Sequence, residues 1–205
     1  MASSNNPVDP DLSAHLALQA PWRLGYLQRI AEGESGVEGD RQAGAGASCF
    51  LDEYWSSPQR DVANHVIVRT RWGMILLNAY PYANGHLLVA LGQGRPRLLD
   101  YTPVERARLW ALVDAAADLA EVALQPQGLN IGVNQGRAGG AGVPGHLHVH
   151  VIPRWGGDTN FITTVARVRV IPASLEAMAE RFARAWEKIG PGWSGVLGAS
   201  EMDRH

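Results

Sequence analysis

Residues 146–152, His-Leu-His-Val-His-Val-Ile, alternate imidazole and aliphatic side chains over five positions and then turn apolar. Successive side chains of a strand point to opposite faces, whereas a helix would scatter the same positions around its axis. The segment is therefore read as a strand over 146–153. Leu147, Val149 and Val151 face a core, and His146, His148 and His150 share the other face. At ~3.3 Å rise per residue, alternate imidazoles start about 6.6 Å apart, which suits a row of phosphates. Such a strand needs partners on both edges and a covered apolar side, so the rest of the chain is searched for them.

Residues 65–70 and 74–78 read as a hairpin across Arg71-Trp72-Gly73. Asn84-Gly85 is a turn signal, residues 86–91 form an apolar third strand, and 128–134 a fourth. Thr102-Pro103-Val104-Glu105 fits a capping box with proline in the first turn. Leu109, Leu112, Val113, Ala116, Leu119, Ala120 and Ala123 follow at helical spacing. A second helix is expected over 174–189 on the stripe Leu175, Met178, Phe182, Trp186 and Ile189, with Gly190-Pro191 as its stop. The expected fold class is α+β: a mainly antiparallel five-stranded sheet with two main helices. Its expected domain is 48–190. Residues 1–47 read as an arm with a short helix around Trp22 and Ile30 and a Gly/Ala/Ser-rich connection, and 191–205 as a tail.

Charge and cysteine usage narrow the function classes. Eighteen basic residues against twenty acidic leave a formal charge of −2, so broad binding to a nucleic-acid backbone is not expected. A small anionic ligand is still compatible with that balance. Lys188 is the single lysine, which removes Schiff-base or P-loop lysine chemistry from most of the chain. Cys49 is the single cysteine and excludes an internal disulfide. No stretch approaches the ~20 apolar residues of a membrane span. Residues 1–10 lack the pattern of a signal peptide, so the expected address is the cytoplasm.

The histidine row admits three readings. The three rings can be ordinary strand residues. They can hold a metal, as His-x-His on a strand often does, although no carboxylate lies within the window to complete the set. They can also act on phosphorus: a neutral imidazole is a good nucleophile and a reversible phosphoryl carrier, while flanking imidazoles donate to phosphate oxygens. The loop over 134–145 supports this third reading, because its glycines let backbone amides approach an anion. Gly140 to Gly145 match G-x-G-x-x-G, but open a strand rather than a helix, so the dinucleotide-fold meaning does not apply.

These residues resemble the histidine-triad (HIT) superfamily of nucleotide hydrolases and transferases. The resemblance is carried by His146-x-His148-x-His150 followed by two apolar residues, by Asn78, Pro81 and Gly85-His86 before an apolar strand, and by Asn134-Gln-Gly136. It spans roughly residues 48–187. Residues 153–161, Pro-Arg-Trp-Gly-Gly-Asp-Thr-Asn-Phe, are similar to the bacterial branch related to dinucleoside polyphosphate hydrolases and phosphorylases.

The resemblance implies a HIT-like fold and roles for several residues. His148 attacks the α-phosphorus and carries the nucleotidyl group. His146 and His150 orient the phosphates, His150 also helping protonation, and His86 supports the row. Asn78 contacts the ribose, and Asn134 a phosphate or the leaving group. Amides of the loop at Gly140 and Gly142 would meet phosphate, and Leu76, with Phe50 and Ile67, is a candidate for the base pocket or for core. A homodimer is implied. Relatives with Cys-x-x-Cys before the first strand complete a zinc site, whereas residues 48–51 here read Ser-Cys-Phe-Leu. No structural zinc and no required cofactor are therefore expected. The expected activity is hydrolysis of a dinucleoside polyphosphate, diadenosine tetraphosphate first, with His150 tilting the choice towards water as acceptor. Phosphorolysis, a metal-dependent hydrolase and a non-catalytic nucleotide sensor are the alternatives.

Overall fold

The computed structural model describes residues 49–158 and 173–198. The chain divides into two compact units, Met1–Ala43 and Gly44–His205, and all described residues belong to the second. The expected short helix near Trp22, the connection after it, Asn160 and the last residues of the tail lie outside the described residues.

Five strands form one antiparallel sheet: β1 (Val66–Arg69), β2 (Gly73–Leu77), β3 (Leu87–Leu91), β4 (Gly128–Val133) and β5 (His148–Arg154). Their order is β1-β2-β3-β5-β4, so the histidine strand lies between β3 and β4. The β1–β2 turn closes on Thr70, whose hydroxyl accepts from Trp72 N and Gly73 N, both at 3.2 Å. A Cβ at Gly73 would stand 2.3 Å from the Ala90 carbonyl oxygen, so this pairing needs glycine. Gly85 closes the loop before β3 with φ of +74°, a conformation that costs glycine little.

Three helices are described: α1 (Phe50–Ser56), α2 (Pro103–Leu124) and α3 (Leu175–Leu197). The capping box forms as the sequence predicts. Thr102 Oγ1 accepts from Glu105 N at 3.3 Å, and Thr102 N donates to Glu105 Oε2 at 2.7 Å. Helices α2 and α3 cover one face of the sheet, burying Ile75, Leu87, Val89, Leu147, Val149 and Val151 with Leu112, Leu119 and Phe182. The opposite face carries a smaller cluster of Leu51, Val66, Met74, Leu76, Leu88 and Ala90, with Cys49, Tyr54 and Trp55 of the α1 segment against it. Strand alternation sorts the two sets.

The expected helix stop at Gly190-Pro191 is corrected: α3 runs through Pro191 to Leu197. Proline in a helix removes one backbone hydrogen bond and crowds the preceding turn. Tertiary contacts outweigh that loss, since Trp193 Nε1 donates to Asp118 Oδ2 of α2 at 2.8 Å and Leu197 is buried in the core. Helix α1 has no counterpart in the sequence reading. Its seven residues are too few to stand alone, and it is placed by Leu51, which is fully buried.

Candidate active site

Strand β5 brings His148 and His150 to the face opposite α2 and α3. His148 pairs across to Ala90, and His150 lies between Leu88 of β3 and Gly132 of β4. Gly132 presents no side chain, and a Cβ built there would meet nothing within 4 Å, so the space beside His150 is open. The two rings meet edge to face with centroids 4.9 Å apart.

Hydrogen bonds decide where the protons sit. His148 Nδ1 lies 2.9 Å from the main-chain carbonyl of His146. A carbonyl only accepts, so Nδ1 carries the proton and Nε2 has the free lone pair. Nε2 has no partner among the described residues, and no buried side-chain nitrogen or oxygen among them is left unpaired. His148 Nε2 therefore reaches solvent. Burial pushes the His148 imidazole below its usual value, against the hydrogen bond to the His146 carbonyl, which favours the charged form. The ring is thus neutral at neutral pH, with a lone pair on Nε2.

His86, fully buried just before β3, continues the chain of rings. Tyr82 N donates to His86 Nδ1 at 3.0 Å, and Asn78 Nδ2 lies 3.3 Å from the same nitrogen. His86 Nδ1 is therefore an acceptor, and Nε2 carries the proton that points to His150 Nδ1 at 2.9 Å. The remaining proton of a neutral His150 then sits on its Nε2, which faces open space. Burial, with the charge of His148, lowers His150 to about 4, so it is neutral at neutral pH. The Tyr82 ring lies against both, with centroids 4.7 Å from His86 and 5.6 Å from His150.

His146 departs from its expected role in the phosphate row. Strand β5 begins at His148, and residue 146 closes a turn in which its N–H donates to the Val143 carbonyl at 3.3 Å. Its side chain is fully buried, with Nε2 at 2.8 Å from Leu91 O and Nδ1 at 3.0 Å from Asp52 Oδ1. Helix α1 covers this end of the face, so the ring has no side free for a phosphate. Leu76 is likewise fully buried among core side chains, and Ile67 lies in the opposite core, whereas Phe50 is exposed on α1. Asn134 Nδ2 donates to Gly140 O at 3.3 Å and braces the glycine loop. Gly140 has φ of +83°, and both Gly140 and Gly142 are exposed. Asn78 Oδ1 accepts from Tyr80 N at 2.9 Å, so this asparagine ties the loop to His86. Sequence reasoning missed Tyr82, Asp52 and the Leu91 carbonyl. An aromatic residue four positions before His86 and a carboxylate three after Cys49 are the signals that were available.

The histidine row does not assemble as a metal site among the described residues. Among the described residues, one group of metal-capable side chains comes together: Cys49, Asp52 and His146, with ligand atoms within 4.8 Å of one another. His148 and His150 are outside it. Structural zinc sites are almost always four-coordinate and closed. Three donors are described here, and the open side of the cluster abuts Gly94, where a Cβ would stand 2.6 Å from His146 Nδ1 and 3.1 Å from Asp52 Oδ1. Cys49 Sγ donates to Asp52 Oδ2 at 3.2 Å. Among the described residues the set is one donor short of a closed tetrahedral zinc.

An antiparallel α+β domain whose inner strand presents one imidazole with a free Nε2, buttressed by two further histidines, defines a histidine-based class of site. The chain belongs to the HIT family. The HIT domain model matches residues 59–157. Over 172 residues the chain is 36% identical to a Mycobacterium tuberculosis protein named AP-4-A phosphorylase, covering 83% of this chain and 84% of the relative. It is also 36% identical over 97 residues to the bis(5'-nucleosyl)-tetraphosphatase [asymmetrical] of Schizosaccharomyces pombe, covering 47% of this chain and 53% of that one. Among solved structures, a zinc-bound histidine triad family protein from Mycobacterium smegmatis superposes with a TM-score of 0.58 at 26% identity, covering 71% of this chain and 97% of that one.

Proposed function

We propose that the protein is an enzyme that cleaves dinucleoside polyphosphates, diadenosine tetraphosphate first among them, through a nucleotidyl intermediate on His148. The observation that carries this is the free Nε2 of His148, opposed to an Nδ1 tied to the His146 carbonyl at 2.9 Å. A fixed tautomer with an accessible lone pair is what attack on phosphorus needs. In the first step Nε2 forms a bond to the α-phosphorus, and the bond from that phosphorus to the bridging oxygen breaks. The electron pair leaves on the polyphosphate oxygen, which the His150 Nε2–H stabilises as charge builds there. In the second step an acceptor oxygen attacks the same phosphorus and His148 leaves. The exposed amides around Gly140 and Gly142 supply further phosphate contacts.

Water is the first reading for the acceptor, giving AMP and ATP from diadenosine tetraphosphate. The second reading, inorganic phosphate giving ADP and ATP, is favoured by the likeness to AP-4-A phosphorylase over most of both chains. Product analysis with and without phosphate, chelator present, separates them. AMP with ATP supports hydrolysis, ADP with ATP appearing only with phosphate supports phosphorolysis, and no turnover in either tube would overturn the metal-independent His148 reading.

The protein is further read as a cytoplasmic homodimer. No described helix is long and apolar enough to cross a membrane. Strand β4 lies at the sheet edge with Ile131 about half exposed, the kind of edge a second copy can extend. Light scattering on the purified chain gives the mass that tests this.

A further inference from the structure

We propose that Cys49 and Asp52 form a hydrogen-bonded anchor for the His146 ring in place of a structural metal, and that Asp52 is thereby a positioning residue for His148. The catalytic half rests on His148 being the nucleophile; the anchor does not.

Polar groups of Leu91, Asp52 and Cys49 surround one buried ring. His146 Nε2 lies 2.8 Å from Leu91 O, and a carbonyl cannot donate, so Nε2 carries a proton. His146 Nδ1 lies 3.0 Å from Asp52 Oδ1. Asp52 Oδ2 accepts from both the main-chain N–H and the thiol of Cys49, each at 3.2 Å. Burial alone would raise the Asp52 carboxyl, but the bonds from Cys49 and the charge of His146 hold it below its usual value. Cys49 Sγ lies 3.5 Å from His146 Nδ1, so thiol, carboxylate and ring close a three-membered polar contact. Burial keeps the Cys49 thiol protonated, raising it above its usual value. The facing titratable groups are Cys49 and Asp52 from α1 and His148 from β5 itself.

Both ring nitrogens have a polar partner, Leu91 O on one side and Asp52 on the other. A fully buried ring needs its polar atoms paired in this way. The anchor joins three elements, α1 through Asp52, β3 through Leu91 and the start of β5 through His146. Its output is the position of the His146 carbonyl, the acceptor for His148 Nδ1–H at 2.9 Å. Gly94 packs bare backbone against the anchor, a Cβ there standing 2.6 Å from His146 Nδ1 and 3.1 Å from Asp52 Oδ1.

The test uses full-length protein expressed in zinc-supplemented medium and dialysed without chelator. Metal content is measured by mass spectrometry and the His148 tautomer by long-range proton–nitrogen NMR on histidine-labelled protein. The expected result is no stoichiometric metal, no rise in melting temperature on adding zinc, and a His148 ring protonated on Nδ1. Cys49→Ser, whose hydroxyl also donates to Asp52, keeps the melting temperature within about 2 °C. Asp52→Asn weakens the anchor and lowers kcat about tenfold with KM little changed, as expected for a lost bond to a charged group. About one zinc per chain retained through dialysis, with a cobalt–thiolate absorption band that disappears in Cys49→Ser, would overturn the proposal. So would a His148 ring protonated on Nε2, or an Asp52→Asn variant of unchanged kcat. If the wild-type protein turns over no dinucleoside polyphosphate, the functional reading fails while metal content and NMR still decide the anchor.

Discussion

His86 Nε2 lies 2.9 Å from His150 Nδ1, and the Tyr82 main-chain N–H at 3.0 Å from His86 Nδ1 sets the direction of that bond. One backbone donor thus fixes which nitrogen of His150 faces the open side of the site. Replacing His86 by Ala leaves His150 Nδ1 buried without its donor and releases its tautomer. We expect kcat to fall about 10- to 100-fold, the range for an unsatisfied buried acceptor, with the fold intact by circular dichroism. A change under about twofold in steady-state kinetics would mean that the reaction does not use this bond.

His148→Ala removes the attacking atom and leaves the surrounding phosphate contacts in place. Turnover should drop by at least ~10⁴-fold, as expected when a nucleophile is deleted. Calorimetry with AMP should still detect binding. A variant with near-normal rate would end the covalent mechanism.

The pH dependence follows from the directions of two shifts. His148 and His150 are both held below the usual histidine value, His150 at about 4. The folded protein therefore binds fewer protons than the unfolded chain once pH drops below about 6.5, the unperturbed histidine value. Stability should decline as pH falls from there to about 4 through His150, and then level off for this group. The acid limb of kcat/KM, which reports the free enzyme, should lie below the same unperturbed value. A limb at or above it would show that neither buried imidazole is held neutral.

Gly85→Ala should destabilise the protein. Its φ of +74° disfavours any Cβ, and that Cβ would stand 2.3 Å from Leu124 Cδ1 and 3.3 Å from Phe182 Cζ. Backbone strain and overpacking together give a cost of at least ~2 kcal/mol, read as a lower denaturation midpoint. Because Gly85 precedes His86, activity should fall with it.

Leu197→Ala should cost about 2–4 kcal/mol, the range for emptying a buried leucine site. Leu197 is 2% exposed and lies six residues beyond Pro191. A helix ending at Ile189 would leave Leu197 in solvent and the substitution silent in chemical denaturation.

The elements legible in the sequence are those whose cause is local. Alternation at 146–152 fixes a strand because pleated backbone sends neighbouring side chains to opposite faces. Thr102, Pro103 and Glu105 mark a helix start because the cap is completed within four residues. The shared placement of His148, His150 and His86 was legible for the same reason, since they stand on strands or at a strand start whose register follows from apolar pattern and turn.

What only the tertiary structure decided is each feature whose partner lies far along the chain. His146 shares the alternation of His148 and His150, yet Asp52 and Leu91, 94 and 55 positions away, take its ring out of the phosphate row. Helix α1 exists because Leu51 finds a buried site on the sheet, and α3 passes Pro191 because Trp193 reaches Asp118. Local pattern sets the direction of a side chain. The groups waiting there, and so the proton it carries, are set by the order β1-β2-β3-β5-β4 and the helix laid across it.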